Sequence, residues 1–226
     1  MATPIAHLRT TRDIEQHPPV VHKPVISSGF ATLDRVLPGG GWQIGMVADV
    51  LRSPFGGEMA LLLPLLATLT QQAKQVYLLA PPYIPYAPAL QAAGVDLAHL
   101  IWLDPPTSQA GLWATEQIAR EPGGAIISWL THAPSDPQCQ RLMRANELGQ
   151  NVLILIRPLE RQLTPTPFKL RLSVSPLPDG TEVQILKRQG APVVQPIFLQ
   201  RQDDVVASTV FPVPAARHNR PSLVAC

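Results

Sequence analysis

The chemistry that this sequence could perform centres on one run, LRSPFGGE, at residues 51–58. The run follows a predicted buried strand and leads into a predicted helix. Strand, glycine turn and helix form the layout of a phosphate-binding loop, whose pattern is G-x-x-x-x-G-K-[ST]. In such a loop the glycines let backbone N–H groups surround an anion, the lysine reaches the β and γ phosphates, and the hydroxyl holds Mg²⁺. The layout of the run therefore indicates a nucleotide site.

The side chains that would make this loop work are absent. Leu51 stands at the first glycine and Gly56 at the second, while Gly57 replaces the lysine and Glu58 replaces the serine or threonine. A carboxylate at Glu58 would face the phosphates, and two like charges about 4 Å apart repel by about 4 kcal/mol at an effective dielectric near 20. We therefore predict a degenerate phosphate loop that binds no nucleotide, no other cofactor and no metal.

Length and composition indicate one α/β domain with tails. The 226 residues are 46% hydrophobic, which is enough for a full core, and the net charge of +2 does not indicate a nucleic-acid binder. The two cysteines, Cys139 and Cys226, have no zinc-ligand spacing and indicate a reducing compartment. The N-terminus has no apolar core of signal-peptide length, and the longest apolar run, residues 59–69, is too short for a bilayer. We predict a cytoplasmic protein.

The order of the predicted elements gives the fold class. Apolar runs predict strands at residues 46–50, 76–80, 95–103, 125–130 and 151–158, helices at 29–37, 59–73, 108–120 and 135–149, and a hairpin at 169–175 and 182–188. Alternation of strands and helices predicts an α/β fold: a mostly parallel twisted sheet with helices on both faces, closed by a C-terminal antiparallel hairpin.

Two motifs carry a resemblance to a known family. SGFATLDRVLPGGGWQIG at residues 28–45 resembles the segment of the RecA core that leads into the phosphate-loop strand. With PPYIPYAPAL at residues 81–90, it is similar to the ImuA group of RecA-like proteins from bacterial mutagenesis cassettes. The resemblance covers roughly residues 28–200. It implies a RecA-like domain at 28–200, a mobile arm at 1–27 and a tail at 201–226.

The resemblance also implies where catalytic groups should stand. RecA carries a water-activating glutamate after the second strand of its core, where this chain has Ala80-Pro81-Pro82-Tyr83. The Walker B aspartate, which holds Mg²⁺, is replaced by Ser128 or Trp129. We therefore expect a pseudo-ATPase rather than an enzyme. Tyr83 and Tyr86 either stack on a base or a partner or simply cover the end of the sheet.

Membership of the ImuA group would imply a role in SOS-induced translesion DNA synthesis. The expected partners are an ImuB-like polymerase subunit and, through it, an error-prone polymerase, with RecA contact or self-association also open and DNA binding weak or indirect. The alternative is a cell-division inhibitor similar to SulA, which binds FtsZ; the P-G-G-G segment at residues 38–41 favours ImuA. The predicted partner-binding patch comprises Arg141, Arg144, Lys187 and Arg188, which otherwise form a solvated basic rim.

Overall fold

A computed structural model describes residues 23–161 and 164–200, without the side chain of Arg161. The predicted tail at 201–226 and all but residues 23–27 of the predicted arm lie outside the described residues. None of the helices within the described ranges is long and apolar enough to cross a membrane.

The described chain alternates strands with helices. The strands are β1 Val25–Ile26, β2 Trp42–Gln43, β3 Val47–Arg52, β4 Val76–Leu79, β5 Leu100–Leu103, β6 Ala125–Trp129, β7 Val152–Pro158, β8 Leu170–Leu177, β9 Gly180–Lys187 and β10 Ile197–Gln200. The α-helices are α1 Ala31–Asp34, α2 Glu58–Gln71, α3 Ala87–Ala92, α4 Ser108–Ile118 and α5 Asp136–Gly149. Short 3-10 turns lie at Pro38–Gly40, Leu97–His99 and Leu159–Arg161.

Eight of these strands form one mixed sheet in the order β10-β9-β8-β3-β7-β6-β4-β5. From β8 to β5 all neighbours are parallel, and β9 pairs antiparallel with both β8 and β10. The prediction of an α/β fold with a mostly parallel sheet and a closing hairpin is confirmed. Because the six parallel strands run the same way, their carboxyl ends meet at one edge of the sheet, which we call the carboxyl edge. The opposite border is the amino edge.

Helices cover both faces of this sheet because the parallel strands are apolar on both sides. One face packs against α2, whose buried leucines Leu61, Leu62, Leu65, Leu66 and Leu69 meet the side chains of Val50, Ile127 and Ile154. The other face packs against α5 through Cys139, Leu142 and Ala145. The sheet therefore fixes the ends of β3 and β6, where the predicted phosphate site lies.

Several local features differ from the predictions. The strand predicted at 95–103 begins only at Leu100, because Leu97–His99 forms a 3-10 turn. The first helix covers only Ala31–Asp34, because Gly29 (φ 86°) and Phe30 are not helical. The α5 helix ends at Gly149 as predicted, but the left-handed conformation that terminates it (φ 52°) is that of Gln150. The sheet also gains an edge strand, β10, that the sequence did not indicate, because a four-residue run carries little periodicity.

Candidate functional site

The turn after β3 uses its backbone N–H groups within the chain. Ser53 N–H donates to the carbonyl of Val174 on β8 at 2.9 Å, and Gly56 N–H donates to the carbonyl of Ser53 at 3.0 Å. Phe55 N–H donates to Ser53 Oγ, also at 3.0 Å. A phosphate-binding loop instead directs such groups at the anion. Three donors of this turn are already engaged with the protein itself.

Gly57, at the lysine position of the pattern, has a backbone that disfavours a lysine. Its φ of 104° lies in the region that favours glycine. A Cβ built there would lie 3.0 Å from the backbone nitrogen of Pro176, at the end of β8. The close approach of this turn to β8 therefore requires glycine, and a lysine would need both a different backbone conformation and a displaced β8.

Glu58 places its carboxylate at the start of α2, where an active loop would place a hydroxyl. The residue is 4% exposed, and its Oε1 accepts a hydrogen bond from the indole N–H of Trp129 at 3.1 Å. Arg52 Nη1 lies 3.9 Å from the same oxygen, while Glu58 Oε2 and Arg52 Nη1 are buried without a hydrogen-bond partner in the described structure. The partial positive charge of the helix N-terminus also stabilises the carboxylate. The Glu58 carboxylate thus occupies the helix N-terminus, which is the position that would suit a bound anion.

The residues at the expected Mg²⁺-holding position make internal contacts instead. Trp129 at the end of β6 faces Glu58, and Ser128 Oγ lies 2.8 Å from Thr115 Oγ1 on α4. After β4, Ala80 N–H donates to the carbonyl of Leu103, and no acid lies in residues 80–86. Within the described residues, no group of three or more His, Cys, Asp and Glu side chains could hold a metal ion.

A second charged site lies on the face of β3 opposite to α2, and local sequence patterns hardly indicate it. Asp49 is fully buried and accepts hydrogen bonds from Arg157 Nε at 2.8 Å and Arg157 Nη2 at 2.6 Å. Arg171 Nε on β8 donates to Asp49 Oδ2 at 2.8 Å, and Thr166 Oγ1 donates to the same oxygen at 3.0 Å. The only sequence signal is an acid inside an otherwise apolar strand, because both arginines lie more than 100 residues away along the chain.

This Asp49 cluster joins the three strands at the centre of the sheet. One carboxylate binds guanidinium groups from both neighbouring strands, β7 and β8, and Lys187 Nζ extends the network to the carbonyl of Thr166 at 3.2 Å. Removing one member of such a buried ion pair strongly destabilises the fold, because the remaining member stays charged, buried and out of reach of water. Cys139 of α5 lies nearby, and burial, with smaller effects from Asp136 and Asp49, raises the pKa of its thiol to about 11. The thiol is therefore neutral at physiological pH.

The four basic residues of the predicted patch lie in two places. Arg141 and Arg144 are exposed on α5, whereas Lys187 and Arg188 lie at the end of β9, at the amino edge. Arg188 Nη1 donates to the carbonyl of Val36, and its Nε donates to the carbonyl of Ala191 at 2.7 Å. Within the described chain, no hydrogen bond or ion pair joins the two pairs.

Arg141 is itself part of an ion pair between α5 and α4. Its Nε lies 3.0 Å from Glu116 Oε2, and Arg120 Nη2 lies 2.8 Å from Glu116 Oε1. Partial burial acts to raise the pKa of Glu116, but hydrogen bonds and charge from Arg141 and Arg120 together hold it below the ordinary value. Arg144 has no such partner among the described residues, so it is the member of the patch that is available to another molecule.

A small apolar cleft lies at the amino edge, away from the degenerate loop. Its walls include Trp42, Met46, Val152 and Leu170, with Lys169 at the side, and it has room for about one water molecule, ≈ 20 Å³. The indole N–H of Trp42 is buried without a partner in the described structure. A cleft of this size fits a buried water better than a nucleotide.

The chain matches no model of a known protein family and no curated protein. The likeness to RecA-like proteins therefore depends on the motifs at residues 28–45 and 81–90.

The geometry of the turn after β3 bears on phosphate binding independently of this likeness. The strand–turn–helix unit after β3 presents a buried carboxylate and internally bonded amides, an arrangement suited to holding α2 against β6 and unsuited to binding a phosphate.

Proposed function

We propose that this protein is a non-catalytic RecA-like accessory factor of SOS-induced translesion DNA synthesis, which works by docking a polymerase-like partner. The observation that carries the proposal is the hydrogen bond between Glu58 and Trp129. These residues stand at the Ser/Thr position of the phosphate loop and at the expected Walker B position. In an active site of this class, the side chains at both positions hold Mg²⁺ together.

The hydrogen bond between the side chains at these two positions supports the proposal that the protein is a pseudo-ATPase. The Glu58 carboxylate repels a γ-phosphate, and Trp129 offers no oxygen to a metal ion. Gly57 adds no cation, and its contact with Pro176 keeps the turn in a conformation that disfavours lysine. Phosphoryl transfer depends on positioning and on charge neutralisation, so the loss of all three groups removes the chemistry together.

A fold of this kind without nucleotide chemistry still offers surfaces for other proteins. Resemblance to the ImuA group suggests an ImuB-like polymerase subunit as the partner, with an error-prone polymerase recruited through it. DNA contact is weak or indirect, because a net charge of +2 supplies few phosphate contacts and such contacts supply most of the sequence-independent affinity for DNA.

A genetic and a biochemical measurement together test the proposal. In a strain that lacks this gene, we expect damage-induced mutation frequency to fall, and the wild-type gene to restore it. We expect the purified chain to bind the purified polymerase-like subunit encoded in the same genome. Normal mutation frequency in the deletion strain, with filamentous cells when the protein is overproduced without damage, would contradict the proposal and favour the FtsZ-binding alternative.

A further inference from the structure

Exposed apolar side chains lie on three loops of the carboxyl edge, after β3, β4 and β8. Phe55 follows β3 and is 87% exposed; Ile84 and Tyr86 follow β4 and are 63% and 57% exposed. Tyr83 and Leu177, at the end of β8, are each more than a third exposed. We call these five residues the carboxyl-edge surface. Single exposed apolar residues are ordinary, whereas several on the loops of one edge give a partner a larger apolar area to cover. In open α/β sheets this edge is also where ligands bind.

The backbone of Phe55 is held at the tip of its turn by hydrogen bonds. The turn is closed by the hydrogen bond from Gly56 N–H to the carbonyl of Ser53, and Ser53 Oγ accepts from Phe55 N–H. Gly57, next to the turn, packs against Pro176 of β8. An aromatic side chain has only two torsions to order, so Phe55 on this closed turn loses little conformational entropy when a partner covers it and is suited to be the anchor of an interface.

Charges around this surface indicate the chemistry of its partner. Three exposed acids lie on the same edge: Asp136 at the start of α5, Glu160 after β7 and Asp179 after β8. In the described loops of this edge, Arg161 and His132 are the residues of opposite sign, and Arg52 at the end of β3 lies beside Glu58. An acidic rim repels phosphates, which disfavours nucleic acid and nucleotides here. It favours a basic protein surface.

We propose that the carboxyl-edge surface docks a protein that presents an apolar pocket for Phe55 within a basic rim. The inference rests on the proposed function, because it assigns the surface that a non-catalytic docking factor would use. The carboxyl-edge surface, rather than the predicted basic patch, then makes the principal contact with the partner. That patch comprises Arg141, Arg144, Lys187 and Arg188. Three of those four side chains are engaged within the protein, whereas Phe55 projects from it.

A binding measurement with two matched variants tests this surface. The probe is the purified polymerase-like subunit encoded in the same genome, captured on a biolayer sensor with the full-length chain in solution. We expect Phe55→Ser to weaken binding at least about tenfold, as for other interface anchors. Leu148→Ser, which changes a 72% exposed leucine on α5, should stay within about twofold. Raising NaCl from about 50 to about 300 mM should weaken wild-type binding severalfold, because the charges are exposed.

Failure of this surface can be told apart from failure of the proposed function. If wild type binds the subunit and Phe55→Ser binds equally well, the surface is wrong and the function stands. The surface is also wrong if Arg144→Glu weakens binding more than Phe55→Ser does. Both serine substitutions lie at exposed positions, so unchanged thermal melting should show that each variant is folded.

If wild type does not bind the subunit, the proposed function fails and a second measurement decides the surface. A photo-crosslinking amino acid at position 55 is activated in DNA-damaged cells. We expect an adduct with a protein whose purified form binds wild type at least about tenfold more tightly than Phe55→Ser. An adduct only with DNA, with a second copy or with the chain's own residues 201–226, or no adduct at all, would overturn the inference.

Discussion

Two buried carboxylates on or beside β3 have opposite environments. Asp49, in the middle of the strand, receives three guanidinium hydrogen bonds and one hydroxyl hydrogen bond. Glu58, just beyond the end of the strand, receives one indole hydrogen bond and has a guanidinium 3.9 Å away, and its second oxygen is unpartnered in the described structure. Both acids are at most 4% exposed, so desolvation costs them similar amounts. Only for Asp49 do hydrogen bonds to both carboxylate oxygens offset this cost of desolvation.

The difference separates a carboxylate that joins three strands from one that has a single hydrogen bond at the start of a helix. Asp49 joins β7, β3 and β8 in a network whose geometry leaves its carboxylate no room for a ligand. Glu58 stands at a helix N-terminus that would suit an anion from outside, yet it supplies that anion itself. Under the proposed function the carboxyl edge binds no phosphate, while the Asp49 cluster holds the core that supports this edge.

The largest expected effect is at Asp49. Asp49→Ala leaves Arg157 and Arg171 buried without their carboxylate, so we expect the free energy of unfolding to fall by about 3–5 kcal/mol. Urea titration followed by fluorescence measures it by linear extrapolation. If the alanine variant does not fold, Asp49→Asn, which keeps the shape and loses the charge, should still lose more than about 1 kcal/mol. A smaller loss of unfolding free energy in both variants would contradict the prediction, because it would show that Asp49 stabilises the fold no more than Glu58 does.

A smaller effect is expected at the Glu58–Trp129 contact. Trp129→Phe removes the N–H donor and leaves the Glu58 carboxylate buried without a hydrogen bond, so we expect a loss of about 1–3 kcal/mol. Glu58→Gln keeps an acceptor for Trp129 but removes the charge at the helix N-terminus, so we expect about 0.3–1 kcal/mol. The same titration applies. The double variant should lose less than the sum of the two single variants, and strict additivity would show that the contact does not couple them.

The smallest effect belongs to the exposed pair on α5 and α4. Arg141→Ala should cost about 0.2–1 kcal/mol at neutral pH, because both guanidinium partners of Glu116 are about half exposed. The lowered pKa of Glu116 means that its stabilisation is present above the ordinary carboxyl pKa and is lost as pH falls through the folded-state value. The difference between wild type and variant should therefore shrink between about pH 7 and about pH 3. An equal difference at both pH values would contradict the assigned ion pair.

The sequence predicts the fold well because its strands are strongly apolar. The runs at 125–130 and 151–158 become β6 and β7 with shifts of one residue at their ends, and the hairpin turns at Pro178 and Asp179, between its two predicted strands. Glycine and proline spacing also locates the turn between β3 and α2. These features depend on local propensity and periodicity, which a single sequence displays.

The contacts that define the sites could not be predicted in the same way. Asp49 meets Arg157 and Arg171 only because β3 lies between β7 and β8, and the order of strands in a sheet is not written in local patterns. The Glu58–Trp129 contact likewise joins residues 71 positions apart. Type and spacing predict a surface cation at Arg188, but the structure directs its guanidinium to the carbonyl of Val36. Side-chain partners depend on tertiary placement.

Thermal melting with Mg²⁺ and ATP shows whether the loop after β3 binds a nucleotide, which the proposed function excludes. A ligand at about 100 times its Kd stabilises a folded protein by about 2.7 kcal/mol, which raises the Tm of a domain this size by about 5–11 °C. At about 5 mM ATP with excess Mg²⁺, a Kd of about 50 µM would therefore be visible. We predict a Tm change below about 1 °C. A Mg²⁺-dependent rise of several degrees, abolished by removing ATP, would contradict the proposed function.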